Sequence, residues 1–461
     1  MYWHGDTDNV RIQGLWYLPD ASDHRVPGIF EFSEDRPPRL ALSSELASRT
    51  MAEPDERDII LGQAASGHLL TLHGCRETER HITEHGTTVS YEALVAFLGA
   101  TFETPEAIQF QSMIATLSGW ETWALGTRGL AAQWLAQDKY EINYRRPEPI
   151  PLLADPAVTI HFHSKLPALP SATIAVKETA FVRHEPASLQ SWTEHIRRFD
   201  DVRTFLAFAI DSPVVVEDMS GTLDGPPERD GTPSIVHVLQ RRLLPMARRQ
   251  FPAPSALFVP TKRDDLVDLM QAWIGLRSAV PQVVAAHEAV MYIADPEPEF
   301  AFLTYFQALE GLHRYAIGGF ETEPDEHERR LAEVLEAIPT HRDWLKNKLR
   351  WSNEVSARNR LRNLSKRLPQ TIETYGSEAR VVGEAVDVRN ILTHPSPGGP
   401  RPERSRVEKL AQILKLLLEG NLLIEMGLPE AEADTLTRLI ARWRVPQLRP
   451  PKPIPKGRSE R

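Results

Sequence analysis

Two periodicities divide this chain near residue 260. Before that point apolar residues come in short runs, rich in β-branched and aromatic side chains and broken by Pro, Gly and Asp clusters, the pattern of strands and turns. GLWYLPD (14–20), PGIFEF (27–32), RLALSS (39–44), HLLTLHG (68–74), VTIHFHS (158–164), TIAVKETAF (173–181), PVVVEDM (213–219) and SIVHVLQ (234–240) each predict a strand. One helical stretch, SLQSWTEHIRRFDDVRTFLAFAI (188–210), interrupts them, and ADPAVT and SGTLDGPPERDGTPS predict loops.

After residue 260 the apolar positions recur at helical spacing. TKRDDLVDLMQAWIGLRSAV opens a long helix with acidic residues in its first turn, where they complement the helix dipole. EFAFLTYFQALEGLHRYA (299–316) places Phe302, Phe306, Leu309 and Leu312 on one face. HRDWLKNKLRWSNEVSARNRLRNLSKRL and SEARVVGEAVDVRNILTH follow as helices, then SRVEKLAQILKLLLEGNLLIEMGL with a stripe through Val407, Leu410, Leu414 and Leu417. Such faces on successive helices predict a bundle. The expected fold class is therefore α+β. A β-rich N-terminal region, residues 1–258 in one or two subdomains, precedes a helical domain over residues 259–445. A disordered, proline-rich basic tail occupies residues 446–461.

Composition adds limits. A chain of 461 residues holds two or three domains, and 41 % hydrophobic with 25 % charged residues suits a packed core. A formal charge of -10 argues against general attraction to nucleic acid, so any such contact needs a local basic patch. Cys75 is the single cysteine, which excludes an internal disulfide and suits a reducing compartment. MYWHGDTDNV lacks the basic and apolar segments of a secretory leader, and no apolar run is long enough for a membrane span. A cytoplasmic protein is expected. GxxxxGK[ST], GxGxxG after a strand, HExxH and GxSxG are all missing, so no cofactor is expected.

The candidate chemistry lies in DVRNILTHPS (387–396). On a helix, Val381, Ala385, Val388 and Leu392 share one buried stripe, while Asn390 and His394 stand four apart on the other side. Pro395 should end the helix at His394, because the residue before proline avoids helical angles. Carbonyls at a helix C-terminus favour a protonated imidazole there. Histidine can move protons near neutral pH and arginine can bind phosphate through its fork, the two needs of metal-free RNA cleavage. The structural alternative pairs Arg389 with Asp387 or Glu384 while His394 merely caps the helix. Spacing alone does not decide. Chance predicts about one or two Arg-x4-His spacings in a chain this rich in arginine, and three occur: Arg389/His394, Arg76/His81 and Arg80/His85. The last two fall in HGCRETERHITEHG, read as a polar connection without an apolar helical stripe.

Residues 341–370 carry nine basic residues, Arg342, Lys346 and Lys348 followed by Arg350, Arg358, Arg360, Arg362, Lys366 and Arg367, interleaved with Trp344 and Trp351. Arg350, Arg358, Arg360, Arg362 and Lys366 are the candidates for an RNA-backbone surface, with aromatics available for stacking. The alternative is a solvated face with core tryptophans. His73, Cys75, His81 and His85 could be imagined around zinc, but Cys-rich spacing is missing. His161 and His163 share a strand face without a third ligand, and no metal site is expected.

VRNILTH at the end of a helical domain, with polar Asn390 after the arginine, resembles the HEPN superfamily and its Arg-x4-His ribonuclease motif. FLTYFQALEGLHR is similar to the HEPN helix that packs opposite and carries an acidic residue, here Glu310. GLWYLPD, PGIFEF, RLALSS and HLLTLHGC resemble the β-rich domain that precedes HEPN in ApeA-type antiphage proteins, although residues 90–260 match only loosely. The resemblance implies a metal-independent endoribonuclease that leaves 2′,3′-cyclic phosphate or 3′-phosphate ends. It implies a homodimer whose two Arg-x4-His helices form one composite cleft. Arg389 would stabilise the scissile phosphate, His394 transfer protons, Asn390 orient the site, and Glu310 hold Arg389 or the histidine. It also implies abortive infection, with tRNA or another host RNA cut, a phage-derived trigger, and the β-rich region as sensor or restraint. The rival is a non-catalytic RNA- or protein-binding defence protein whose bundle serves dimerisation or docking.

Overall fold

The computed structural model describes residues 9–47, 55–84, 86–123, 129–136, 139–155, 157–165, 177–225, 234–241, 256–260, 263–395, 399 and 401–444. The expected proline-rich tail lies outside these residues, as do His85, the start of the strand expected over 173–181, and much of the loop before residue 234. Two compact units result, residues 1–248 with 259–270, and residues 249–258 with 271–461. A β-rich N-terminal region is followed by a helical one, the α+β arrangement expected from the two periodicities.

The first unit contains β1 (Asn9–Tyr17), β2 (Val26–Ser33), β3 (Arg36–Leu42), β4 (Glu56–Ala64), β5 (Leu69–Thr83), β6 (Gly86–Glu92) and β7 (Val95–Leu98). β8 (Gln109–Phe110), β9 (Ser112–Leu117), the short α1 (Trp120–Trp123), β10 (Leu130–Ala136), β11 (Lys139–Tyr144) and β12 (Ile150–Leu153) follow. β13 (Ala157–Lys165), β14 (Lys177–Glu185), β15 (Gln190–Ser191), α2 (Trp192–Ile210), β16 (Val216–Thr222) and β17 (Ile235–Gln240) complete it. Strands β5-β4-β1-β2-β3-β6 close into a barrel through a β5–β6 pairing, and β7-β17-β16-β9-β14-β13-β12 continue the sheet from β5.

β5 serves both parts because it is 15 residues long. Its first half pairs with β7 and its second half with β6. The exchange falls at Gly74, whose φ of 65 is a conformation that glycine adopts without steric cost. Residues 75–83, expected as a polar connection, are therefore the second half of this strand. Their polar character reflects an outward-facing barrel wall. Arg11, Glu31, Arg39, Glu92, Arg76 and Glu56 stand opposite one another on consecutive barrel strands, exposed and alternating in sign. Opposite charges across a ladder favour this register and disfavour slippage.

Inside the barrel Trp16 is fully buried, packs on Phe30 at 6.1 Å between ring centroids, and lies against Gly62. A Cβ at Gly62 would sit 2.3 Å from the Trp16 ring, so only glycine leaves room for the indole. Elsewhere in this unit α2 begins at Ser191, whose hydroxyl accepts from the Glu194 backbone N–H. α2 buries Phe199, Val202, Phe205 and Leu206. It also carries His195, fully buried with its Nδ1 2.8 Å from Nδ1 of His184. His195 Nε2 lies 3.3 Å from the Phe110 carbonyl oxygen and must donate to it, so Nδ1 of His195 accepts and His184 donates. His195 is then neutral. Burial first, then His195 and Arg198, push the His184 imidazole down to about 4 from 6.5.

The helical region runs through α3 (Leu266–Ala279), α4 (Pro281–Met291), α5 (Pro298–Ala316), α6 (Pro324–Ala337) and α7 (Arg342–Leu349). α8 (Ala357–Lys366), α9 (Pro369–Glu373), α10 (Glu378–Thr393), α11 (Arg404–Glu425) and α12 (Glu430–Arg444) follow. α5 buries Phe302, Tyr305, Phe306, Leu309 and Leu312, and packs along α11 as well as α4, α8 and α10. The expected α11 stripe, Val407, Leu410, Leu414 and Leu417, is buried throughout. Among the described residues no helix is long and apolar enough to cross a membrane.

The helix expected over residues 341–368 is instead two, α7 and α8, separated by a turn. Backbone pairing takes residues 353–355 away from helical bonding: Glu321 N–H donates to Asn353 O at 2.9 Å, and Val355 N–H to Gly319 O at 3.0 Å. Buried Asn353 locks this stem, donating from Nδ2 to Thr322 O at 2.8 Å and accepting from Thr322 N–H at 3.0 Å. Ser356 then starts α8 by accepting from Asn359 N–H. The α6–α7 excursion closed by this stem buries little; Leu335 is the one buried residue described on α6, and α7 has none.

Two stability predictions follow from the β-rich unit. Trp16→Ala should cost about 3–5 kcal/mol in denaturant unfolding, because the barrel wall cannot collapse onto the vacated volume. The unfolded His184 binds a proton near 6.5 but the folded one only near 4, so stability is full above 6.5 and falls as pH drops through this window. The slope approaches about 1.4 kcal/mol per pH unit for one such group, and His184→Gln should flatten it in unfolding midpoints recorded across that range.

Candidate active site

α10 is held by Val381, Val382, Ala385, Val386 and Val388, all buried. Leu392, expected in the same stripe, is only half-buried near the helix end. With these positions inward, Asp387, Asn390 and His394 face solvent, and Gly383 shares their side of the helix. The helix stops at His394, whose φ of -129 and ψ of 63 are non-helical and whose N–H donates to Asn390 O. Pro395 supplies the steric reason. The His394 side chain is exposed and makes no hydrogen bond among the described residues.

Arg389 is half-buried between the two faces. Its guanidinium carbon lies 5.9 Å from the centroid of the fully buried Phe306 ring on α5. Nη1 donates to Asn390 Oδ1 at 3.2 Å, and Thr393 Oγ1 donates to the Arg389 carbonyl at 2.8 Å. The carboxylates proposed above as its partners are engaged elsewhere. Asp387 lies 3.7 Å from Arg358, and Glu384 lies 3.3 Å from Arg380 and 3.9 Å from Arg406. An aromatic face and an amide thus hold Arg389 without neutralising it, which leaves its charge available to an anion.

Glu310 is half-buried on α5, one turn after Phe306 and one turn before His313. Phe306 lies under Arg389, and His313 Nε2 is 3.1 Å from Asn363 Nδ2 of α8, so Glu310 occupies the face between these contacts. No ion pair joins it to Arg389 or His394 among the described residues.

The basic residues of this unit separate into two groups. On α8, Arg360 is 3 % exposed, donating from Nε to Val355 O at 2.7 Å and pairing with Glu354 at 3.1 Å. It anchors the α6–α7 stem and has no surface to offer a phosphate. Arg358 and Arg362 are exposed in part but paired, with Asp387 at 3.7 Å and Glu378 at 3.4 Å. Lys366 is exposed without an ion pair among the described residues. On α7 and the turn after it, Arg342, Lys346, Lys348 and Arg350 are all exposed, and none makes an ion pair among the described residues. Trp344 and Trp351 are 62 % and 65 % exposed, not core residues. The stronger basic surface therefore belongs to α7, and the clue in the sequence was the two tryptophans among cations.

Among the described residues, His73, Cys75 and His81 of the imagined zinc constellation are not gathered into one group. Cys75 is buried in the barrel core, where burial pushes its thiol far above the ordinary range. His73 Nδ1 lies 3.1 Å from the Asp58 carbonyl, His81 is exposed on β5, and His85 lies outside the described residues. His161 stacks on Phe181 at 5.5 Å.

Comparison with known proteins gives two matches. Residues 11–273 match the model of ApeA N-terminal domain 1, and residues 303–432 match that of the Apea-like HEPN domain. No curated protein and no solved structure matches the chain. The first model covers more than half of the chain, and the second covers the helices that position Arg389 and His394. The chain belongs to the ApeA-type HEPN family.

Proposed function

We propose that this chain is an antiphage abortive-infection protein that cleaves RNA without a metal, acting as a cytoplasmic homodimer. The observation that carries the reading is the state of Arg389: positioned by Phe306 and Asn390, and not paired with the acidic residues beside it. In this reading the guanidinium binds the non-bridging oxygens of the scissile phosphate and stabilises the charge that grows in the transition state. The 2′-oxygen attacks phosphorus, the 2′-hydroxyl proton leaves, the P–O5′ bond breaks, and the 5′-oxygen takes up a proton. His394 at the exposed helix end serves these proton transfers. Two subunits would bring two such imidazoles to one cleft, one for each transfer. The products are a 2′,3′-cyclic phosphate, or the 3′-phosphate after hydrolysis, and a 5′-hydroxyl. Asn390 orients the arginine, and Glu310 is assigned to hold His394 or Arg389 once substrate is bound. The β-rich unit is assigned to sensing a phage-derived trigger or restraining the nuclease.

A second reading rests on the same histidine. Its imidazole has no orienting partner among the described residues, whereas catalytic histidines are commonly held by a second group. The bundle would then be a docking module for RNA or protein.

Total cellular RNA treated in EDTA with purified wild-type protein and His394→Ala distinguishes the readings. Cleavage by wild type alone, with cyclic-phosphate or 3′-phosphate ends, supports the nuclease. A wild-type effect on infected cells that survives in His394→Ala supports docking. Arg389→Lys should lose at least about tenfold in cleavage, since an ammonium cannot reproduce the two-pronged contact. Phe306→Leu should lose only about two- to fivefold, the worth of one cation–π contact, with the melting curve as its folding control.

A further inference from the structure

The α7 segment has no part in the cleavage chemistry above, and it is built unlike the rest of the helical unit. Trp344, Lys348 and Trp351 fall within about 60° of one another at 100° per residue, on one face. Arg350 keeps right-handed helical angles, φ -50 and ψ -36, so Trp351 continues the screw of α7. At 1.5 Å per residue the two indoles are about 10 Å apart along the axis, close to the rise of three stacked bases at about 3.4 Å each. Both tryptophans are nearly two-thirds exposed, and the Arg350 guanidinium lies 5.1 Å from the Trp351 ring centroid. Burial does not explain rings of this size in such positions. Leu345 and Leu349, on an adjacent side of the helix, are half-buried.

Charge narrows the choice of occupant. Between residues 342 and 351 the chain places four cations against one acidic residue, Asp343, in a protein of net charge -10. The four cations are unpaired among the described residues, while the neighbouring arginines of α8 are paired with carboxylates. An acidic second copy or an apolar partner would not require both features together. A polyanion with flat, apolar faces does, and unpaired RNA is one, because single-stranded bases expose π-surfaces that a duplex hides.

We propose that Trp344 and Trp351, with Arg342, Lys346, Lys348 and Arg350, form a stacking site for unpaired bases of an RNA strand, separate from the Arg389–His394 site. The indoles stack on bases about three steps apart along the strand while the cations follow the phosphates. The stem closed by Asn353 fixes the orientation of this segment on the bundle. The proposal shares with the reading above the premise that RNA is bound, but it does not depend on cleavage.

The test uses the full chain carrying His394→Ala, so that the probe survives, and fluorescein-labelled oligoadenylate followed by anisotropy. Trp344→Ala and Trp351→Ala should each weaken binding about five- to 100-fold, the worth of one stacked base, and Phe at either position should restore most of it. Binding of the same oligomer annealed to oligouridylate should be weak and insensitive to these changes. Lys346→Gln with Lys348→Gln should reduce the salt dependence of binding. Melting curves of the tryptophan variants should be unchanged, since the rings are exposed. Single-strand binding that is unaffected by both Trp→Ala changes overturns the proposal. So does a loss of self-association in sedimentation without loss of RNA binding, which would assign this face to a second copy. Intact stacking with no cleavage by wild type would leave this site standing while the nuclease reading fails.

Discussion

The valine stripe of α10 decides what this site can be. Five small or β-branched residues are inward on a helix whose opposite side carries Gly383, Asp387, Asn390 and His394. Burying that stripe against α5, α8 and α11 leaves no freedom in where Asn390 points or where the helix ends. Arg389 falls at the boundary between faces, and the boundary is lined by an aromatic ring. An arginine there meets neither full solvent nor a carboxylate, a condition in which it keeps its charge and loses some of its mobility.

The allocation of ion pairs extends this logic. α10 carries three carboxylates on the same helix as Arg389, yet Asp387, Glu384 and Glu378 go to Arg358, Arg380 with Arg406, and Arg362. Exposed pairs of this kind add little stability, about 0–1 kcal/mol each. Their larger consequence is electrostatic. They leave unneutralised positive charge at Arg389 and along α7, while the arginines of α8, which lie between them in sequence, are paired.

Much of this was legible in the sequence, and the reasons for the exceptions are physical. The helical stripes of α5, α10 and α11 were readable because one buried face imposes one period, and Pro395 marked the end of α10. β5 was half readable: its first part is buried and alternates, whereas residues 75–83 lie on an outward barrel wall. A polar strand and a polar loop look alike there until β6 supplies the pairing partner. The break between α7 and α8 was hidden because its cause is remote. Gly319 and Thr322 capture residues 353–355, and nothing local in RWSNEVSA announces a partner some thirty positions upstream. Arg360 was misplaced on the surface for the same reason, since its counter-charge and carbonyl acceptor come from that captured segment.

The same break gives α7 its exposure. A continuous helix over 341–368 would have carried Trp344 and Trp351 on a single rod with the buried Leu361 and Leu364. Splitting the rod at a stem frees α7 from the core requirements that α8 must meet, so its large apolar rings need no burial partner within the unit. Large exposed aromatics are tolerated where they meet something outside the fold. Under the proposal above, the cations beside them, unpaired among the described residues, would make this something negatively charged. In the proposed reading the bundle would separate two tasks that a single surface would perform poorly: α10 would supply one well-held cation of fixed position, whereas an RNA strand of variable sequence would be better met by lysines and flat rings.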